Sequence, residues 1–130
     1  MISKDFYIAY GNLLYAVAMS DGAVQKKEKE TILHLVKSKL VPLEDVKDED
    51  GTDLAYYTAF SFETADDTIA DVETALQHFI DFVKEKRKKI NEEHLQVMKD
   101  ILLETAKSFG RITKKEQEII DTFVEMLELA

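Results

Sequence analysis

The sequence predicts an all-α fold, a compact multihelical domain built from two helix–turn–helix repeats related by pseudo-twofold symmetry. Three observations carry this expectation. Apolar residues recur at helical spacing along most of the chain. One Pro and four Gly are too few for the many turns of an all-β fold. Finally, a segment near the start of the chain returns near its end. A length of 130 residues corresponds to a single domain, 1–130, large enough to bury a core without staples.

Each element has its own signals. Ser3 reads as an N-cap, and Phe6, Tyr10, Leu13, Leu14 and Val17 form a helical stripe. Ile8, Ala9, Ala16 and Ala18 make this helix apolar on most sides, as a central helix would be. Ser20-Asp21-Gly22 ends it, with Gly22 as the left-handed residue after the helix. A second helix is expected from about Lys26 to Lys39, burying Ile32, Leu35, Val36 and Leu40. Residues 41–53 form an acidic connection with Pro42 and the turn pair Asp50-Gly51. A short helix is expected over 54–62, followed by a long one capped by Thr64, with Asp66 and Asp67 in its first turn. Ile69, Val72, Leu76, Phe79 and Val83 would form its core seam. Asn91 caps the next helix, with Leu95, Met98, Ile101, Leu102 and Phe109 inward. Gly110 stops that helix. Thr113 opens the last one, which buries Ile120, Phe123, Val124 and Leu127.

The repeat sets the architecture. Residues 20–36 (SDGAVQKKEKETILHLV) lie over 108–124 (SFGRITKKEQEIIDTFV), an offset of 88, with eight identities in 17 positions. Chance would give about one. Lys26/Lys114, Lys27/Lys115, Glu28/Glu116, Glu30/Glu118 and Ile32/Ile120 are among the pairs, and Leu14/Leu102 and Ala18/Ala106 extend the match upstream. The repeat units span about 4–40 and 92–128, joined by the acidic segment 41–91.

At these residues a family resemblance begins. A long apolar helix ending in Ala18-x-Ser20-Asp21-Gly22-x-Val24, with Glu28 four residues further on, resembles the tellurite-resistance TerB-like family. That family likewise carries a second, degenerate copy late in the chain. The resemblance covers about 6–40 and 92–128, and the acidic middle matches no pattern. It implies a duplicated all-helical fold, a bacterial stress or tellurite-resistance context, and divalent-metal binding by acidic residues near the Asp-Gly loops.

Composition narrows the function. The chain has no cysteine, which removes disulfides, thiolate nucleophiles, zinc-thiolate sites and iron–sulfur ligation. No run approaches the ~20 apolar residues that cross a bilayer, so membrane insertion is not expected. Ala16-Val17-Ala18 has the form of a signal-peptidase site, but Asp5 spoils the basic n-region and cleavage would destroy the first repeat. A cytoplasmic location is the expectation. The net charge of −9 is concentrated in residues 41–83, where twelve acids face Lys47 alone. Such a field repels nucleic acid and attracts cations or a basic protein partner.

Asp21 and Glu28 are the candidate metal residues. A carboxylate at a helix-ending turn and another in the next helix's first turn could converge on calcium or magnesium. The heavier reading of Glu28 and Glu116 is structural. At position N3 each carboxylate can return to the N-cap N–H, and Thr113–Glu116 is a complete capping box. In the second repeat Phe109 replaces the aspartate, so any cation would have one weak site, at Asp21. The run Asp48-Glu49-Asp50-Gly51 fails as an EF-hand. With Gly51 at position 6, positions 1 and 12 fall on Val46 and Tyr57, neither a carboxylate.

Catalytic patterns are missing, and a non-enzymatic domain is expected. The residues three before His34, His78 and His94 are Thr31, Ala75 and Asn91, so the Glu-x-x-His of di-iron bundles does not occur. HExxH, P-loop, GxGxxG and GxSxG are absent as well. Lys84, Lys86, Arg87, Lys88 and Lys89 read as cations at a helix C-terminus, without the interleaved aromatics of a nucleic-acid surface.

Two functional classes therefore stand. One is a cation-binding module of the TerB-like kind, using Asp21 and Glu28. The other is an acidic protein-interaction adaptor. Its candidate surface lies within 41–67: Asp48, Glu49 and Asp50, with Tyr56 and Tyr57 of the aromatic group Tyr56, Tyr57, Phe60 and Phe62. Neutralising the three acids is expected to weaken a basic partner with little effect on folding.

Overall fold

The computed structural model describes residues 4–20, 24–43, 47–68, 70–86, 92–107 and 113–128. Ser3, Asp21, Gly22, Val46, Ile69, Asn91, Phe109 and Gly110, together with Arg87, Lys88 and Lys89 of the basic run, lie outside the described residues. Among the described residues the protein is all-helical, with six α-helices: α1 (Lys4–Met19), α2 (Lys26–Leu35), α3 (Tyr56–Thr68), α4 (Val72–Lys86), α5 (Glu92–Lys107) and α6 (Lys114–Glu128). No strand forms there; the one β-type pairing is an isolated bridge between Lys47 and Asp53.

α1 is the central helix, packing against each of the other five. Its burial follows from its sequence: Phe6, Tyr7, Ala9, Tyr10, Leu13 through Ala18 are all buried, leaving no polar face. Phe6 meets Phe79 of α4, Phe79 stacks on Phe123 of α6, and Phe123 meets Tyr10. These rings, 5.7–6.2 Å apart, tie three helices together. Ile32, Leu35, Val36 and Leu40, and Met98, Ile101 and Leu102, complete the core.

The crossing of α1 with α3 is unusually close, and Gly11 permits it. A Cβ at Gly11 would lie 2.5 Å from the Thr58 carbonyl oxygen and 2.8 Å from the Ser61 Cβ. At this approach the Thr58 hydroxyl donates to the Tyr7 carbonyl (2.8 Å) and the Ser61 hydroxyl to the Ile8 carbonyl (2.7 Å). Each of these carbonyls has a second lone pair available beyond its helical bond.

Three sequence expectations are corrected. The second helix does not run evenly to Lys39: after Leu35 it widens into a π-type turn, Val36–Leu40, and tightens into a 3₁₀ turn, Val41–Leu43, that holds Pro42. The short helix over 54–62 is a 13-residue helix ending at Thr68. Thr64 lies inside it and is not the cap of the next helix. Burial of Phe62 against Tyr15 and of Ala65 carries α3 onward, and Ala70 N–H closes its end on the Ala65 carbonyl. The cap of α4 is Asp71, whose carboxylate accepts the Thr74 N–H and hydroxyl, both at 3.0 Å.

α2 and α6 start at Lys26 and Lys114, 88 positions apart. Matched residues share burial: Leu14 and Leu102, Ala18 and Ala106, Ile32 and Ile120.

Candidate functional site

The acidic residues singled out in the sequence divide into two groups. Glu28 is 2% exposed, and its carboxylate accepts the Gln25 N–H at 3.2 Å. Glu116 is 3% exposed; it accepts the Thr113 N–H at 2.8 Å while the Thr113 hydroxyl accepts the Glu116 N–H at 3.1 Å. Both glutamates therefore close the N-terminal turn of a helix. Among the described residues no group of three or more His, Asp or Glu is placed to hold a metal ion.

The second group is the loop before α3. Gly51 takes the left-handed conformation (φ +83°) that the Asp50-Gly51 pair predicts. The Asp48 carboxylate organises the turn: Oδ1 accepts the N–H of Asp50 (2.9 Å) and of Thr52 (3.0 Å). Oδ2 accepts the Tyr57 hydroxyl at 2.5 Å, which ties the loop to the first turn of α3. That bond is the largest influence holding the Asp48 carboxyl below its ordinary pKa, with the Thr52 and Asp50 amides and Lys4 assisting. Asp48 thus accepts three hydrogen bonds from the loop and α3, so its neutralisation bears on folding more than that of a free surface charge would. Glu49 and Asp50 are exposed and remain as surface charges.

The aromatic group separates in the same way. Phe62 is fully buried, Tyr56 and Tyr57 are half-buried, and Phe60 is 48% exposed. Phe60 sits edge-on to Tyr57, ring centres 5.4 Å apart, and the Lys4 ammonium lies 4.5 Å from the centre of the Tyr57 ring. The start of α3 therefore presents one large apolar ring, and the Asp48–Tyr57 bond fixes to the same helix the turn that carries Glu49 and Asp50.

Beside Phe60 runs a groove of about 410 Å³ between α1 and α3. α1 lines it with Ile8 and Asn12, and α3 with Tyr57, Phe60, Ser61, Thr64 and Ala65. Sequence reasoning missed this feature. Its signal is Gly11, a glycine inside an otherwise apolar helix, which marks a close backbone approach. A second groove, between α5 and α6, is lined by Lys99, Gln117, Asp121 and Glu125 together with Leu103 and Val124. Its mixed charges give it no single chemical preference.

Among the described residues no helix is long and apolar enough to cross a membrane. Comparison with family models, with curated proteins and with solved structures finds no significant match to this chain.

Proposed function

We propose that the chain is a non-enzymatic binding domain whose acidic, aromatic-bearing face engages a partner protein with basic and apolar features. The observation that carries this reading is Phe60, 48% exposed and packed on Tyr57, whose hydroxyl binds Asp48 of the turn that carries Glu49 and Asp50. An exposed ring on a rigid base loses little entropy on binding, and the surrounding acids select cationic partners. A TerB-like duplicated organisation, with 4–40 and 92–128 related by a pseudo-twofold axis, belongs to the same proposal. The starts of α2 and α6 at an offset of 88, with the shared burial of matched residues, support it. The cation reading at Asp21 and Glu28 is the weaker one, because the Glu28 carboxylate already serves the α2 cap.

The test is retention of lysate proteins on the immobilised full chain, compared with Phe60→Ser and with the pair Glu49→Gln, Asp50→Asn. Asp48 stays intact because it organises the loop. A partner held by the wild type at low salt and lost by both variants supports the reading. Retention that none of these changes reduces would move the surface elsewhere.

A further inference from the structure

The groove between α1 and α3 has a chemistry of its own. Its polar lining is turned inward: Asn12 Nδ2 donates to the Ile8 carbonyl (3.2 Å), the Ser61 hydroxyl donates to the same carbonyl (2.7 Å), and the Thr68 hydroxyl donates to the Thr64 carbonyl (2.9 Å). These donors are committed to local backbone, so a ligand meets Ile8, Ala65, methyl groups and the Tyr57 and Phe60 rings. Small residues at 61 and 65, one helical turn apart, make the trough, and Phe60 raises one wall.

Charge is arranged around this apolar floor. The turn bound to Tyr57 through Asp48 carries Glu49 and Asp50, both exposed. At the other end Ala70 lines the groove, and the exposed Asp71 follows it directly. Glu63 and the exposed Asp67 lie on the Phe60 side of α3 by helical spacing. Lys4 is the cation at the Tyr57 end, and it is held over the Tyr57 ring. From Tyr57 to Thr68 the groove follows α3 for roughly 16 Å, the length of about three helical turns.

We infer that this groove is the seat of an amphipathic basic helix of a partner protein, with apolar anchors at i, i+3/i+4 and i+7 on the floor and Lys or Arg at both ends. The inference rests on the binding-domain reading above and adds the form of the ligand and the place where it lies.

The probes are three synthetic 14-residue helical peptides: a Leu/Lys amphipath, the same peptide with every Leu replaced by Ser, and the same with every Lys replaced by Glu. Each is titrated into the full chain and followed by backbone amide NMR. The Leu/Lys peptide is expected to shift Ile8, Asn12, Ser61 and Ala65, and Phe60→Ser to weaken it at least tenfold. The other two peptides should leave those amides unmoved. Binding of the Leu/Lys and Ser/Lys peptides alike, with shifts confined to 47–53, would overturn the groove while leaving an acidic binding surface in place. No shift along the groove at millimolar Leu/Lys peptide would also overturn it. Equal binding by the Leu/Glu peptide would overturn the charge assignment.

Discussion

The Tyr10 hydroxyl donates to the Met98 main-chain carbonyl at 2.5 Å, joining two residues that occupy the same position in the two halves of the sequence repeat. The bond is fully buried and ties α1 to α5 near the middle of both helices. Burial, with Asp100 adding to it, pushes the Tyr10 hydroxyl well above the ordinary tyrosine value, so it stays a neutral donor. Tyr10→Phe keeps the ring against Phe123 and removes only this bond. The expected loss is about 1 kcal/mol in urea unfolding, with native helix content unchanged. An unchanged midpoint would show that the α1–α5 contact depends on side-chain packing alone.

Gly11→Ala should destabilise the protein although alanine favours helix by about 1 kcal/mol over glycine. The new Cβ would meet the Thr58 carbonyl oxygen at 2.5 Å, a backbone atom that cannot swing aside. Parting α1 from α3 would strain the Thr58–Tyr7 and Ser61–Ile8 bonds together. A net loss of about 1–3 kcal/mol is expected in chemical denaturation. A gain in stability would mean that the crossing is looser than its geometry indicates.

The helices were readable where periodicity was strong. α1, α5 and α6 lie where their apolar stripes place them, because each stripe has a matching buried face, and α6 opens at its Thr113 cap. The middle was harder. Thr64 with Asp66 and Asp67 carries the composition of a helix start, yet it falls inside and at the end of α3. Tertiary burial of Phe62 and Ala65 outweighed the local signal, and Asp66 at the C-terminal end meets Lys29 at 3.6 Å. The acidic loop was recognisable as a turn from Asp50-Gly51. That Asp48 is bound to Tyr57, nine residues on, is a contact which spacing does not encode. Exposure of Phe60 and burial of Phe62 likewise depend on which face of α3 meets α1.

Glu28 and Glu116 should behave as caps. Glu116→Ala and Glu28→Ala are each expected to lower stability by about 1 kcal/mol, the usual size of a lost N-terminal cap. Thermal unfolding of both variants in calcium, in magnesium and in chelator separates capping from ligation. A cap gives the same loss in all three. A loss for Glu28→Ala that appears only with a divalent cation would reassign Glu28 as a ligand and restore the site with Asp21.

The Asp48–Tyr57 pair gives the fold an acid-sensitive latch between the acidic turn and α3, the helix that carries the exposed ring. The Asp48 carboxyl titrates below its ordinary value, first because of the Tyr57 hydroxyl and then because of the Thr52 and Asp50 amides. A depressed folded-state value means that this contribution to stability is complete above the pH where an unfolded aspartate titrates. It is lost as pH falls through the lower folded-state value. Tyr57 has the opposite sign: its hydroxyl is raised, chiefly by the bond to Asp48 and then by burial, so its contribution is lost only at alkaline pH. Tyr57→Phe removes the largest influence on Asp48 and keeps the ring beside Phe60. Carboxyl-carbon NMR should then show Asp48 titrating closer to an ordinary aspartate, still held somewhat low by the two amides. The loop amides of Asp50 and Thr52 should move with the same midpoint. An Asp48 titration unchanged by Tyr57→Phe would show that the two side chains do not share this bond in solution, and would release the acidic turn from α3.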